Sequence, residues 1–385
     1  TLSADDVITS INYHRGEKSK SAAKGILTAV KNIRKDGNNK VAFELESANA
    51  DFPYIMSAYH LVIMPSKDGK IDPTSGIGTG PYKLTNYEAG VRAEAKRHPN
   101  YFKSGRAHFD EVLFLSLIDV TARQNALMSG NVDVIDRVDP KTVDLLARNP
   151  NIKIMENTGT LHYTFPMRLD VEPFGNYDLR MALKLSLKRQ EMVDKILLGH
   201  GALGNDHPIN ISYGADHCHE LPQIPYDPEK AKWHLNKSGY TEAEIWVAPV
   251  TGAIEDVCLL MQANLKKIGF NLKLKKVPSD GYWGAVWMKE PLNVVSWNMR
   301  PTANAMMSIQ FGPNGNWNDT FWNSDRMGEL LKGSLAETDA AKRHEMHCEM
   351  QKLVSTESGI IIPYHTNILD ANNPKVKGFS NVPLG

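Results

Sequence analysis

The period of the apolar positions changes repeatedly along the chain, and each change marks a new element. Val7, Ile8 and Ile11 share one face at helical spacing, with Ser3 before them and Asp6 three places after Ser3. That arrangement predicts a helix over 5–15 begun by a capping box. Lys40 to Glu46 alternates with period two and reads as a strand. Asp51 is expected to cap a short helix over 52–58, and Leu61 to Met64 to form a buried strand ended by Pro65. Gly78-Thr-Gly-Pro-Tyr-Lys-Leu84 is a turn that launches an edge strand, and Arg97-His-Pro-Asn-Tyr-Phe102 is a second turn carrying two aromatics. An apolar strand over 111–117, a helix over 121–129 stopped by Gly130, a strand over 132–135 and a helix over 142–148 come next. This strand and helix alternation predicts a mostly parallel sheet covered by helices.

Further along, Tyr163 to Met167 is an extended apolar run, 172–176 is rich in turn residues, and helical patterns cover 178–187 and 193–198. Asp227-Pro228 opens a helix, with Asp227 as cap and Pro228 at the first helical position, and Gly239 closes it. A helix is expected over 254–268, ended by Gly269, and an alternating strand over 271–277. Lys273, Lys275 and Lys276 fall on the solvent face of that strand, which makes them edge residues rather than a basic patch. A long helix over 340–354 precedes the extended stretch Gly359 to His365.

Length and charge narrow the classes. At 385 residues the chain exceeds what one core organises, so two domains are expected. Lys and Arg number 44 and Asp and Glu number 44, which removes a global electrostatic case for nucleic acid or an anionic membrane. No apolar run is long enough for a transmembrane helix. Cys218, Cys258 and Cys348 allow at most one disulfide, and Cys258 and Cys348 are expected as small buried helix residues.

Candidate ligand chemistry concentrates between Asp280 and Asn323. Five of the seven tryptophans lie there: Trp283, Trp287, Trp297, Trp317 and Trp322. They interleave with Tyr282, Asn298, Arg300, Thr302, Asn304, Asn316 and Asn318, a mixture that a pocket needs and a core helix does not. Packing alone is the competing explanation, most strongly for Trp287 and Trp322. A second cluster, His200, His207, His217, Cys218 and His219, offers imidazole and thiol donors. Its spacing is unlike a structural zinc site, and His217, Cys218 and His219 are the weaker candidates for a metal. His344, His347 and Cys348 share a helix face, where histidines are expected to be merely exposed. There is no nucleophile elbow, P-loop or His-Glu-x-x-His, and Pro81 removes a donor where a phosphate cradle would need one. The chain is therefore not expected to be an enzyme.

The Gly78–Leu84 and Arg97–Phe102 segments together resemble a region of the family 5 extracellular solute-binding proteins, the peptide, opine, nickel and haem receptors of ABC importers. The resemblance continues through Thr121, Arg123, Ala126, Leu127, Gly130 and Asp133, then Pro173, Phe174, Arg180, Ala182 and Leu183, and then Asp227 to Tyr240. It ends with Asp280-Gly-Tyr-Trp283, Trp297-Asn-Met-Arg-Pro-Thr302 and Trp317-Asn-Asp-Thr-Phe-Trp-Asn323. It implies an α/β type II periplasmic-binding-protein fold, with two lobes joined by hinge crossings at 163–178 and 359–365 and a first lobe incomplete at its N-terminus. Residues 1–75 would be a remnant of the first lobe's accessory subdomain, 76–165 with 362–385 its core, and 166–361 the second lobe.

The implied function is a periplasmic receptor, exported by a signal peptide outside this chain. It would act as a monomer, capture a small molecule in the inter-lobe cleft and deliver it to an ABC permease complex in the inner membrane. No cofactor, resident metal or nucleic acid is expected. Tyr282, Trp283, Trp297, Asn298, Arg300, Thr302, Asn304 and Trp317 would contact the ligand. Dipeptide receptors of the family carry an Asp after the Trp-bearing strand that pairs with the ligand's ammonium group. The comparable stretch here holds Arg300 and Asn304, with no acid before Asp319. A guanidinium there suits a carboxylate, so a peptide-like or opine-like solute is expected. The alternatives are a metal or haem receptor using the His200–His219 loop, or a metal-dependent hydrolase.

Overall fold

A computed structural model describes residues 2–37, 39–250, 253–313 and 315–378. The last seven residues of the expected 362–385 segment lie outside the described residues. Contacts divide the chain into Thr1–Arg123 and Gln124–Gly385. This division is different from the expected lobe boundaries, because it separates 76–123 from 124–165.

The first unit opens with helix α1 (Ala4–Tyr13), whose capping box is formed as expected: the Ser3 hydroxyl accepts the Asp6 N–H, and the Asp6 carboxylate accepts the Ser3 N–H at 2.7 Å. Asp6 also accepts the Ser66 N–H at 2.6 Å, and this bond holds its carboxyl below the usual range. Strands β1 (Val30–Lys35) and β2 (Val41–Leu45) form an antiparallel hairpin. Helix α2 (Phe52–Ile55) begins at Asp51, but that side chain makes no capping bond, since its backbone is already helical rather than extended. Residues 61–64 are not a strand: Leu61 is buried and Val62 exposed, with no ladder on either side. After a two-residue hairpin, β3 (Ser66–Lys67) and β4 (Lys70–Ile71), the strands β5 (Tyr82–Glu88), β6 (Arg92–Arg97) and β7 (Glu111–Leu115) make an antiparallel meander. The Gly78–Leu84 turn thus does launch an edge strand.

Helix α3 (Val120–Met128) leads into the second unit, followed by β8 (Val134–Ile135) and α4 (Val143–Ala147). Two long strands organise the remainder of this unit, β9 (Lys153–Pro166) and β15 (Tyr364–Asn372). They pair antiparallel from Asn372 opposite Lys153 to His365 opposite His162, with an irregularity between Thr366 and Ile368. Gly159 takes φ +53 there, a value side-chain-bearing residues rarely adopt, and its N–H donates to the Asn367 side chain at 2.9 Å. Strands β10 (Gly201–Leu203), β13 (Val295–Trp297) and β14 (Ile360–Ile361) complete the sheet with β8, and all of its pairings are antiparallel.

The expected mostly parallel sheet is therefore corrected. Among the described residues the parallel ladder is β11 (Glu242–Val247) beside β12 (Asn271–Lys276), joined by α8 (Ile254–Lys267), and it is the one place where strand–helix–strand order produced parallel pairing. In the six-stranded sheet the strands that meet are far apart in sequence, so local alternation carried no information about direction.

Helices α5 (Tyr177–Leu185), α6 (Arg189–Lys195) and α7 (Pro228–Ser238) contribute to the same core as the sheet, α7 against α5, and Asp227 caps α7 by accepting the Lys230 N–H. Short helix α9 (Tyr282–Ala285) precedes β13, and α10 (Ala303–Phe311), α11 (Asp325–Ala336) and α12 (Ala340–Glu357) follow it. The core holds Phe165, Met167, Phe174, Leu183, Val257, Met261, Leu272 and Tyr364.

A buried polar knot ties this core to the return strand. Asp206 accepts the Ile362 N–H at 2.9 Å and the Arg189 guanidinium at 2.8 Å, and Arg189 also donates to the Lys184 carbonyl. Lys184 donates to the carbonyls of Ser355 and Ser358, and burial pushes its ammonium pKa down to about 8. Gly204 passes so close that a Cβ there would overlap the Ile362 carbonyl. Asp206→Asn retains the left-handed backbone that Asp206 adopts, φ +55, but strands the Arg189 charge. It is expected to cost about 3–5 kcal/mol, read as a lower urea midpoint at unchanged m.

Candidate functional site

The tryptophan segment folds into one connected array. Strand β13 pairs with β9 so that Trp297 stands opposite His162, which fixes the indole against the sheet. Trp297 meets Trp317 edge to face at 5.7 Å, Trp317 meets Trp287 at 5.3 Å, and Trp287 meets Trp283 at 5.8 Å. These T-shaped contacts place ring edges against ring faces, the arrangement favoured by aromatic quadrupoles. The array runs from buried Trp297 through half-buried Trp317 and Trp287 to Trp283, which is 46% exposed.

A carboxylate sits inside the array. Asp319 is fully buried, and its Oδ2 accepts the Trp287 indole N–H at 3.1 Å. Burial pushes its carboxyl up to about 7, against the indoles of Trp287 and Trp297, which favour the charged form. In the sequence Asp319 stands out only as the first acid after Arg300, set between Trp317 and Trp322, and with Asp280 as a candidate internal partner for that guanidinium.

Arg300 closes the inner end. It is 1% exposed, its guanidinium carbon lies 5.6 Å from the Trp297 ring centre, and one terminal nitrogen donates to the carbonyls of Asn298 and Met299. The Arg300 N–H donates to the Tyr213 hydroxyl at 3.1 Å, a partner that nothing in the sequence singles out. Beyond Arg300 lie three buried imidazoles, His162, His365 and His207. His162 and His365 are 5.5 Å apart between ring centres. Burial, and the charges of His365 and Arg300, hold His162 well below its ordinary value, and burial lowers His207 and His365 to about 3.

The expected contact residues separate into two groups. Trp283, Trp297, Arg300 and Trp317 are brought together, with exposed Asn298 beside Arg300 in the chain. Tyr282 and Asn304 are corrected to structural roles by their burial, and half-buried Thr302 makes a helix cap. Tyr282 is 1% exposed, with its hydroxyl bonded to backbone groups of Val294 and Trp246. Thr302 caps α10 by accepting the Ala305 N–H, and buried Asn304 donates to the Leu331 carbonyl and the Ser334 hydroxyl.

The His200–His219 loop is also revised. His200 contacts Glu156 at 3.0 Å and His207 is buried. His217 meets His219 through its Nδ1, at 3.3 Å, while Cys218 turns away into a disulfide with Cys348. Cys348 is therefore not the free buried thiol expected, whereas Cys258 is free and buried. His347 is fully buried instead of exposed. The surface groove along α6, about 510 Å³ and lined by Leu187, Lys188, Glu191 and Tyr226 among others, is made of different residues from the tryptophan array.

The folded Asp319 carboxyl binds its proton more tightly than the unfolded one, so its contribution to stability is full below about pH 4 and is lost as pH rises through about 7. The stability difference between the wild type and Asp319→Asn is expected to shift by a few kcal/mol against the wild type from about pH 4 to pH 8. Melting curves of both proteins across that range check this, and a constant difference contradicts it.

The profile of the family "Bacterial extracellular solute-binding proteins, family 5 Middle" matches residues 1–319. A di/tripeptide-binding protein of Pseudomonas aeruginosa is 23% identical over 390 residues, covering 94% of this chain and 71% of the relative. Heme-binding protein A of Haemophilus influenzae is 26% identical over 424 residues, covering 100% and 75%. Among solved structures, the binding protein AgaA of A. tumefaciens in complex with agropinic acid superposes with TM-score 0.88 at 22% identity, covering 100% of this chain and 80% of that one. With its match running unbroken from the first capping box to Asp319, the chain belongs to the family 5 bacterial extracellular solute-binding proteins.

Proposed function

We propose that this protein is the periplasmic receptor of an ABC importer for a small peptide-like or opine-like solute carrying a carboxylate. The observation that carries the reading is the indole array, which runs from an exposed end at Trp283 to the Arg300 guanidinium at its buried foot. Exposed Trp283 and Asn298 with half-buried Trp317 contact the solute. Trp287, Trp297 and Asp319 hold those side chains in place. The positive charge of Arg300 at the foot of the array favours a carboxylate over an ammonium group. Peptide, haem and opine ligands among the relatives are consistent with a family that varies its solute on one scaffold.

On this reading the receptor performs no chemistry. Binding selects a conformation, and a permease in the inner membrane accepts the solute from it. The expected lobes, 76–165 with 362–385 and 166–361, are the bodies that would move, about the crossings at 163–178 and 359–365. The receptor acts as a monomer.

A thermal-shift screen of dipeptides, tripeptides and opines identifies the solute. Trp283→Ala is then expected to weaken its binding about tenfold, near 1.4 kcal/mol, while leaving the unliganded melting temperature unchanged. Amidation of the solute's carboxylate is expected to weaken binding at least as much. Unchanged affinity in both calorimetric titrations overturns this assignment of the site.

A further inference from the structure

Cys218, Glu220, His344 and Cys348 bring one donor atom each to within 4.8 Å of one another. Two elements deliver them. Helix α12 presents His344 and Cys348 four residues apart on one face, and the loop following the short 3-10 segment Ile211–Asp216 presents Cys218 and Glu220. Gln351 holds the loop against the helix by accepting the Cys218 N–H at 3.0 Å and donating to the Asp216 carbonyl at 2.8 Å.

The spacing of the donors is that of a small coordination polyhedron. His344 Nε2 lies 3.2 Å from Glu220 Oε2 and 3.4 Å from Cys348 Sγ. Glu220 Oε2 lies 3.5 Å from Cys218 Sγ and 3.7 Å from Cys348 Sγ. A tetrahedral zinc ion with ordinary bond lengths to sulfur, nitrogen and oxygen has donor-to-donor edges of roughly 3.3–3.8 Å. Four edges are thus already near length, and the edge between the two sulfurs is collapsed by their bond.

The orientation of His344 is a separate indication. Its Nδ1 lies 2.7 Å from the Ala215 carbonyl, which can only accept, so Nδ1 carries the proton. With Nε2 protonated as well, the ring donates to the Glu220 carboxylate as an ion pair. A zinc ion would take the place of that proton between the same two donors, and a backbone carbonyl on the far nitrogen is the usual way a ligating imidazole is aimed.

We propose that reduction of the Cys218–Cys348 disulfide converts this cluster into a zinc site, with two thiolates, the His344 imidazole and the Glu220 carboxylate as ligands. The reductant is a dithiol or a phosphine. It supplies two electrons, the sulfur–sulfur bond breaks, and each sulfur takes a proton, from the dithiol in the first case and from water in the second. The dithiol closes to its own disulfide, or the phosphine becomes its oxide with oxygen from water. On binding, Zn²⁺ displaces the two thiol protons to solvent. The ion then takes over the cross-link between the loop and α12, and it stands apart from the tryptophan array. Glu220 is exposed and His344 and Cys348 are half-buried, so the ion has a path in, while buried Cys258 stays outside the site.

The test uses the full chain, reduced anaerobically with a phosphine, desalted, and dialysed against Zn²⁺ in parallel with untreated protein. One zinc per reduced chain and none per oxidised chain is expected by elemental analysis. Co²⁺ in place of zinc is expected to show a sulfur-to-cobalt charge-transfer band in the reduced protein only. His344→Ala and Glu220→Gln keep both cysteines and are each expected to weaken zinc binding by at least about 10-fold, the lower bound for losing even an outer-shell partner. Equal zinc uptake by reduced and oxidised protein, no uptake by the reduced protein, or full affinity in both variants overturns the proposal.

Discussion

The pairing of β9 with β15 is the constraint on which the second unit depends. Two segments separated by almost the whole of that unit must meet in one register, and neighbouring strands then take their positions from them. Trp297 stands where it does because β13 pairs with β9, and Asp206 is buried because it follows β10, which pairs with β15. From His162 to Met167 every residue is buried, so a slip of one place would exchange the residues of two buried faces. The Arg189–Asp206–Ile362 knot fixes the return strand from the side, by hydrogen bonds that tolerate no such slip.

Placed on this scaffold, the tryptophan array reconciles two opposing demands. Large aromatic surfaces need burial, while a recognition surface must stay open to its solute. In the proposed reading the array meets both by grading exposure from Trp297 outward to Trp283. Asp319 and Arg300 are the cost of that arrangement, ionisable groups taken from water to orient an indole and a loop, with burial pushing the Asp319 carboxyl toward its neutral form. Their burial is tolerated because donors and acceptors are supplied close by: the Trp287 indole for one, and the Asn298 and Met299 carbonyls for the other.

What the sequence could reveal was local. The Ser3–Asp6 box, the Asp227 cap with its following proline and the α8 helix are signalled by residues within a few places of each other, and each formed. The Leu61–Met64 strand failed because β-branched composition cannot supply a pairing partner. Sheet direction failed for the same reason on a larger scale. The mixture of Trp, Asn and Arg between Asp280 and Asn323 was legible as composition, and the structure brings Trp283, Trp297, Trp317 and Arg300 of it together, with Trp297 and Arg300 buried. Tyr282 was misread through its neighbour, since adjacent residues of a helix point about 100° apart and one faced the core while the next faced out. The roles of Asp319 and Tyr213 carry no local signal, because their partners Trp287 and Arg300 lie far along the chain. The Cys218–Cys348 bond was hidden because three cysteines admit three pairings.

The central claim is that the solute is recognised at the tryptophan array. Four of the chain's seven tryptophans form that array, so intrinsic emission reports on it. Titration with the solute that most raises the melting temperature is predicted to change that emission saturably, with the same dissociation constant as calorimetry. Calorimetric saturation with no change in tryptophan emission would contradict the account.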